Sequence, residues 1–105
     1  MRYMLLICAQ EGVEVDVVEP IEPWIEFVGK RRLDGSRLRP VGDATSVVVR
    51  GGEVVVSDGP FAETKEQVAG FDLVECADLD EALEIAARHP VARFGTVEVR
   101  PLWED

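Results

Sequence analysis

Histidine is nearly absent from this 105-residue chain: the only one is His89. No cluster of histidines can therefore form a metal centre, and one side chain alone titrates near neutrality without help from its surroundings. Cysteine is scarce too. Cys8 and Cys76 stand singly, without the paired spacing of a zinc site. Bases are few, with eleven lysines and arginines against twenty-one acids and a formal charge of -10. Such a balance repels phosphate backbones and argues against nucleic acid as a partner. Long apolar runs are missing. The longest, Met4 to Ala9, falls far short of the ~20 residues a bilayer-spanning helix needs. A lone Arg2 precedes it and no small-residue cleavage pattern follows before Glu11, so no signal peptide is expected and the chain should begin at Met1 and work in the cytoplasm. Also lacking are a phosphate-cradling glycine loop, a serine-nucleophile elbow, a nucleotide fingerprint, internal repeats and a flexible linker. No cofactor is expected, and residues 1–105 read as one domain.

What is present is a strong alternation of strand and helix patterns. Tyr3 to Ala9 is continuously apolar, which suits a central strand covered on both faces. Ile21, Trp24, Ile25 and Val28 fall at 0, 3, 4 and 7 of a helical stripe, predicting a helix over Pro20 to Leu33. The runs Val47 to Val49 and Val54 to Val56 flank Gly51-Gly52, a pair suited to a type I′ turn, and predict a hairpin. Gly70 to Cys76 reads as a further strand. Asp78 offers an N-cap with Glu81 three residues on, and Leu79, Ala82, Leu83, Ala86 and Ala87 form the stripe of a second helix that Pro90 stops after His89. Thr96 to Arg100 alternates as a half-buried strand.

The order matches two split strand-helix-strand units. It predicts an α+β, ferredoxin-like antiparallel sheet with both helices on one face and an inserted β-hairpin, with Gly35 to Val41 as the second core strand. Two helices cover one face only, while the first strand is apolar on both, so the bare face is expected to meet a second copy. Cys8 and Cys76 end strands that run antiparallel, about six residues apart at ~3.3 Å each, and are expected to be free buried thiols.

Charge is unevenly placed. Glu11 to Glu26 holds six acids and no base, and Lys30, Arg31, Arg32, Arg37 and Arg39 hold five of the eleven bases. The basic group either complements the dipole at the end of the first helix or offers an anion a dock.

Asp58-Gly59-Pro60-Phe61-Ala62-Glu63-Thr64-Lys65-Glu66-Gln67 reads on its own as a connecting loop. It strongly resembles the signature of YCII-related proteins in their DGPF-domain branch. The resemblance extends to Met1-Arg2-Tyr3-Met4-Leu5-Leu6, Ala44-Thr45, Asp80-Glu81-Ala82-Leu83 and Val97-Glu98-Val99-Arg100-Pro101, nearly the whole chain. It implies a small bacterial protein with a ferredoxin-like fold that dimerises as an α+β barrel. Relatives often lie in genomes near extracytoplasmic-function sigma factors, and no general reaction is established for them. Shorter relatives carry a histidine in the first helix and an aspartate near the end of the second, suggested as an acid-base pair. This sequence departs from them: Trp24 stands near the expected histidine, and His89 ends the second helix instead.

Strand directions give a site independently of any resemblance. If the first strand runs upward, Asp58 and His89 both arrive at the upper end, with the loop Gln10 to Glu19, whereas the arginines belong below or along the connection leading up. His89 is then the candidate proton carrier, with Asp58 or Glu63 orienting it. Asp58 and His89 are the candidate catalytic residues, and Phe61 and Glu63 the candidate ligand contacts. The structural alternatives are a dipole-complementing histidine, an Asx-turn at Asp58 and a loop-anchoring Phe61. Three functions follow: a homodimer, a small-molecule site at this end, and a noncatalytic module for a protein partner such as a sigma factor, met through the acidic surface.

Overall fold

The computed structural model describes residues 1–10 and 20–104. The acid-rich stretch from Glu11 to Glu19 and the loop expected beside the site lie outside the described residues. Six strands and two α-helices follow in the order β1 (Arg2–Ala9), α1 (Glu22–Val28), β2 (Arg32–Arg37), β3 (Thr45–Arg50), β4 (Glu53–Asp58), β5 (Gln67–Glu75), α2 (Leu79–Ala87) and β6 (Thr96–Pro101). β2, β5, β1 and β6 lie side by side in that order and all pair antiparallel. This is the ferredoxin-like arrangement that the order of patterns predicts.

Every second residue of β1 turns inward. Tyr3, Leu5 and Ile7 are buried with Val74 of β5, Trp24 and Val28 of α1, and Ala82, Ile85 and Ala86 of α2. One core therefore joins both helices to one face of the sheet. Met4, Leu6 and Cys8 point the other way and are half-buried, an apolar row that no helix among the described residues covers. α2 begins as the sequence predicts, because the Asp78 carboxylate accepts from the Glu81 N–H at 3.0 Å, satisfying one donor of the first turn.

Three elements have bounds that differ from the sequence expectation. α1 stops at Val28 rather than Leu33, because Gly29 takes φ +56° and turns the chain into a 3-10 segment over Gly29–Arg31. Arg31 closes that end: Nε and Nη2 donate to the Val28 and Phe27 carbonyls at 3.1 and 2.7 Å. The second core strand accordingly runs over Arg32–Arg37 instead of Gly35 to Val41. It carries Arg37 to the upper end, opposite Gly70, while Arg32 lies opposite Val74. α2 also ends early, at Ala87, so His89 leaves the helix and opens a separate 3-10 turn over Pro90–Arg93.

β3 and β4 form a two-stranded sheet of their own, turning at Gly51 and Gly52 with φ +58° and +81°. Val47 pairs with Val56 and Val49 with Val54, so four exposed valines share one face of the hairpin. Both thiols are free, and burial pushes both above the usual cysteine range. Among the described residues no helix is long and apolar enough to cross a membrane, and no group of three or more metal-ligating side chains converges.

Candidate functional site

A cavity of about 710 Å³ opens between α1, the 3-10 turn after α2 and the sheet. Its size falls in the range of small-molecule sites. The walls are mainly apolar, including Ile7, Ile25, Val91 and Phe94. The polar side chains among the wall residues are His89, Trp24, Asp72, Arg32, Ser36, Arg37 and Glu22. Topology gathers them. β5 points Asp72 inward between Gly70 and Val74, β2 lies beside it as an edge strand, and Pro90 ends α2 so that His89 folds back over the core.

His89 is 6% exposed. The Val91 backbone N–H donates to its Nδ1 at 3.0 Å, which fixes the tautomer: Nδ1 is the acceptor, so the proton of the neutral ring sits on Nε2. Among the described residues no fully buried side-chain nitrogen or oxygen lacks a partner, and Nε2 bonds to none of them. That nitrogen therefore remains open at the cavity wall. Burial lowers the His89 pKa, and the nearby Asp72 carboxylate offsets part of the effect. A second proton would also turn Nδ1 into a donor facing the Val91 donor. Trp24 holds the ring edge-on, with centroids 4.6 Å apart and planes at 69°, while its own indole N–H donates to the Ile85 carbonyl at 2.8 Å.

Asp72 is also 6% exposed, and Arg32 Nε donates to its Oδ1 at 2.7 Å. The buried carboxylate is thereby paired and its charge offset. This pair needs Gly35. A Cβ built there would overlap Asp72 Oδ1 and an Arg32 guanidinium nitrogen, and would stand 2.9 Å from the Phe71 carbonyl. Arg37 has no ion pair among the described residues and is exposed at the mouth.

Of the four residues singled out from sequence, His89 alone lines this cavity. Asp58 ends β4 and is exposed; the following Gly59 N–H donates to the Ala44 carbonyl, and the Gly59 carbonyl accepts from Ser46 Oγ at 2.8 Å. Phe61 is 91% exposed and Glu63 is exposed. Phe61 therefore does not plug the core of its own chain. The carboxylate that the fold places near His89 is Asp72, which the sequence reading passed over. Its signal was there: a charged residue at an inward position of Phe71-Asp72-Leu73-Val74 must find a partner or shift its pKa. In the sequence Arg32 is one member of a basic run, with nothing to mark it as the partner of Asp72.

Chemically, these walls present fixed donors. His89 presents its Nε2–H and Arg37 lines the mouth, whereas the Asp72 charge is paired with Arg32 through Oδ1. Nε2 could accept a proton only after a tautomer change that forfeits the Val91 bond.

Comparison with known proteins agrees with the fold. A family model of the YCII-related domain matches residues 1–104. An uncharacterized protein of Rhizobium meliloti is 51% identical over 69 residues, which cover 64% of this chain and 56% of that protein. The match thus spans little more than half of the relative's length. Nearly end-to-end agreement with the family model, on a sheet ordered β2-β5-β1-β6 under two helices, leads to one conclusion: the chain belongs to the YCII-related domain family.

Proposed function

We propose that this protein is a homodimeric small-molecule-binding module whose ligand occupies the cavity beneath His89. The observation that carries the reading is the His89 ring itself. It is buried, held by Val91 on one nitrogen, and open on the other toward an apolar space of ligand size. A buried polar group left open in this way gains most from a ligand that completes its hydrogen bonding. Binding by donation fits the fixed tautomer better than proton abstraction. The acid-base version of the reading needs Asp58 and Glu63, with Phe61, delivered to the cavity by a second copy, since they do not line it in their own chain. The uncovered row Met4, Leu6 and Cys8 and the exposed Phe61 support pairing of two copies. Ligand-observed NMR with 4-phenylbutan-1-ol and 4-phenylbutyrate tests the cavity: binding to the wild type, lost in I25D, is expected, and a folded wild type that binds neither refutes it. Light scattering tests the dimer. An 11.6 kDa particle at micromolar concentration would refute pairing.

A second reading, a noncatalytic module for a protein partner, is favoured by the four-valine face of the hairpin with Phe61 and Trp103 exposed beyond 90%. A sigma factor is the partner that family gene context suggests. Pull-down at low and high salt tests it. Recovery of a sigma factor at low salt is expected, and its absence at both salts refutes the reading.

A further inference from the structure

We infer that the ligand of this cavity is a compact, largely apolar acid whose carboxylate is held by Arg37 and the Nε2–H of His89. The inference rests on the small-molecule reading above and adds the chemical class.

The argument is a count of donors and acceptors. A ligand entering between α1 and the sheet meets apolar walls, so most of its own surface must be apolar to replace water at a gain. The polar groups it meets are unequal in kind. His89 offers one N–H and no acceptor, because Nδ1 is taken by the Val91 N–H. Arg37 offers only donors, and among the described residues no carboxylate answers it. Asp72, the buried acid of the wall, is paired with Arg32 at 2.7 Å. A ligand cation would find the Asp72 charge already balanced, and a ligand hydroxyl would leave the Arg37 charge unanswered. A carboxylate satisfies both open donors and can take the planar guanidinium in two parallel bonds. β2 brings Arg37 to this place: it lies opposite Gly70 at the upper end of the sheet, and Gly70 of β5 in turn lies opposite Ile7 of β1, the neighbour of the histidine-bearing turn. Among the described residues Glu22 is an acid of the rim, and it stands at the start of α1, which favours approach of the carboxylate on the β2 side of the mouth. The net charge of -10 opposes an anion only weakly at physiological salt, where exposed charges are screened beyond ~8 Å.

The test uses a matched pair of probes, 4-phenylbutyrate and 4-phenylbutan-1-ol, titrated by calorimetry into the full chain and into R37Q. Arg37 is exposed, so R37Q is expected to fold as the wild type does. The carboxylate should bind the wild type about tenfold more tightly than the alcohol, the ratio a charge-assisted bond supplies, and R37Q should bring the two affinities together. If both probes bind the wild type equally, or if the preference survives in R37Q, the acid assignment is overturned while the cavity reading stands. If neither probe binds, the cavity reading fails and this inference with it.

Discussion

Replacing Gly35 by alanine should unfold this protein more readily than its single added methyl suggests. The new Cβ would overlap the Asp72 Oδ1 that accepts from Arg32 Nε and the Arg32 Nη2 beside that donor, so making room for it pulls the pair apart. The Phe71 carbonyl, 2.9 Å away, belongs to the neighbouring strand and cannot swing. Overpacking of this kind costs about 1–3 kcal/mol. Separating the pair leaves Asp72 buried without its cation, whereas Arg32, 29% exposed on its side chain, can turn to water. Breaking a buried pair costs about 3–5 kcal/mol, and part of the overpacking is relieved by that same separation. A net loss of about 3–5 kcal/mol follows, or at least ~12 °C in Tm for a domain of this size. Urea unfolding followed by circular dichroism measures it, with Gly42→Ala as control. No atom lies within 4 Å of a Cβ at Gly42, so that change should stay within about 0.5 kcal/mol. In a D72A background the Gly35→Ala penalty should shrink to the carbonyl contact alone, giving a measurable coupling. A G35A protein within 1 kcal/mol of wild type would refute the account of the pair.

Three further outcomes follow from the same geometry. His89 has a lowered folded pKa, so above its ordinary value of about 6.5 both states are neutral and it adds no pH dependence. As pH falls through that value the unfolded chain takes the proton first, and stability drops by up to about 1.4 kcal/mol per pH unit. Urea midpoints of wild type and H89N at pH 7.5 and 5.5 should differ in this slope, and parallel slopes would count against the buried ring. Asp78→Ala removes the cap of α2 and should cost about 0.5–2 kcal/mol in the same melts; an unchanged midpoint would show that the Glu81 N–H finds another acceptor. Burial and nearby acids raise the Cys8 thiol, and Cys76 is buried with a raised pKa, so both should react with a disulfide reagent far more slowly than free cysteine at pH 8. Rapid labelling of the folded protein would contradict their placement.

The sequence was most readable where one residue pattern served one purpose. Continuity in Tyr3 to Ala9, the Asp78 cap with its stripe, and the Gly51-Gly52 turn each translate directly into β1, α2 and the hairpin. It was least readable between Gly29 and Arg37. The apolar stripe ends at Val28, and Gly29 after it is a natural helix stop, yet the basic run that follows carries no signal of its own for a strand. β2 itself, Arg-Leu-Asp-Gly-Ser-Arg, has almost no strand preference of its own; it pairs because Gly35 lets it approach β5 and because Arg32 meets Asp72. That partnership spans 40 residues and leaves no periodic trace. The site was legible in part for the same reason. His89 stood out as the single histidine, while its surroundings depend on Pro90 turning the chain back and on β5 aiming Asp72 inward.

The separateness of the β3–β4 hairpin also bears on how this protein avoids clumping. Two triple-valine runs, paired among the described residues only with each other, are the kind of strand that recruits further strands from other molecules. Each run is short and fenced. Arg50 and Glu53 stand at the turn, Asp58 closes the outgoing strand, and the glycines Gly51, Gly52 and Gly59 at positive φ bend the backbone away from any straight continuation. A charge at each end and a kink beyond it let an oily ribbon extend into water while leaving a newcomer strand too few straight residues to add along. Neutralising Arg50 or Asp58 would remove that fence without touching the folded core.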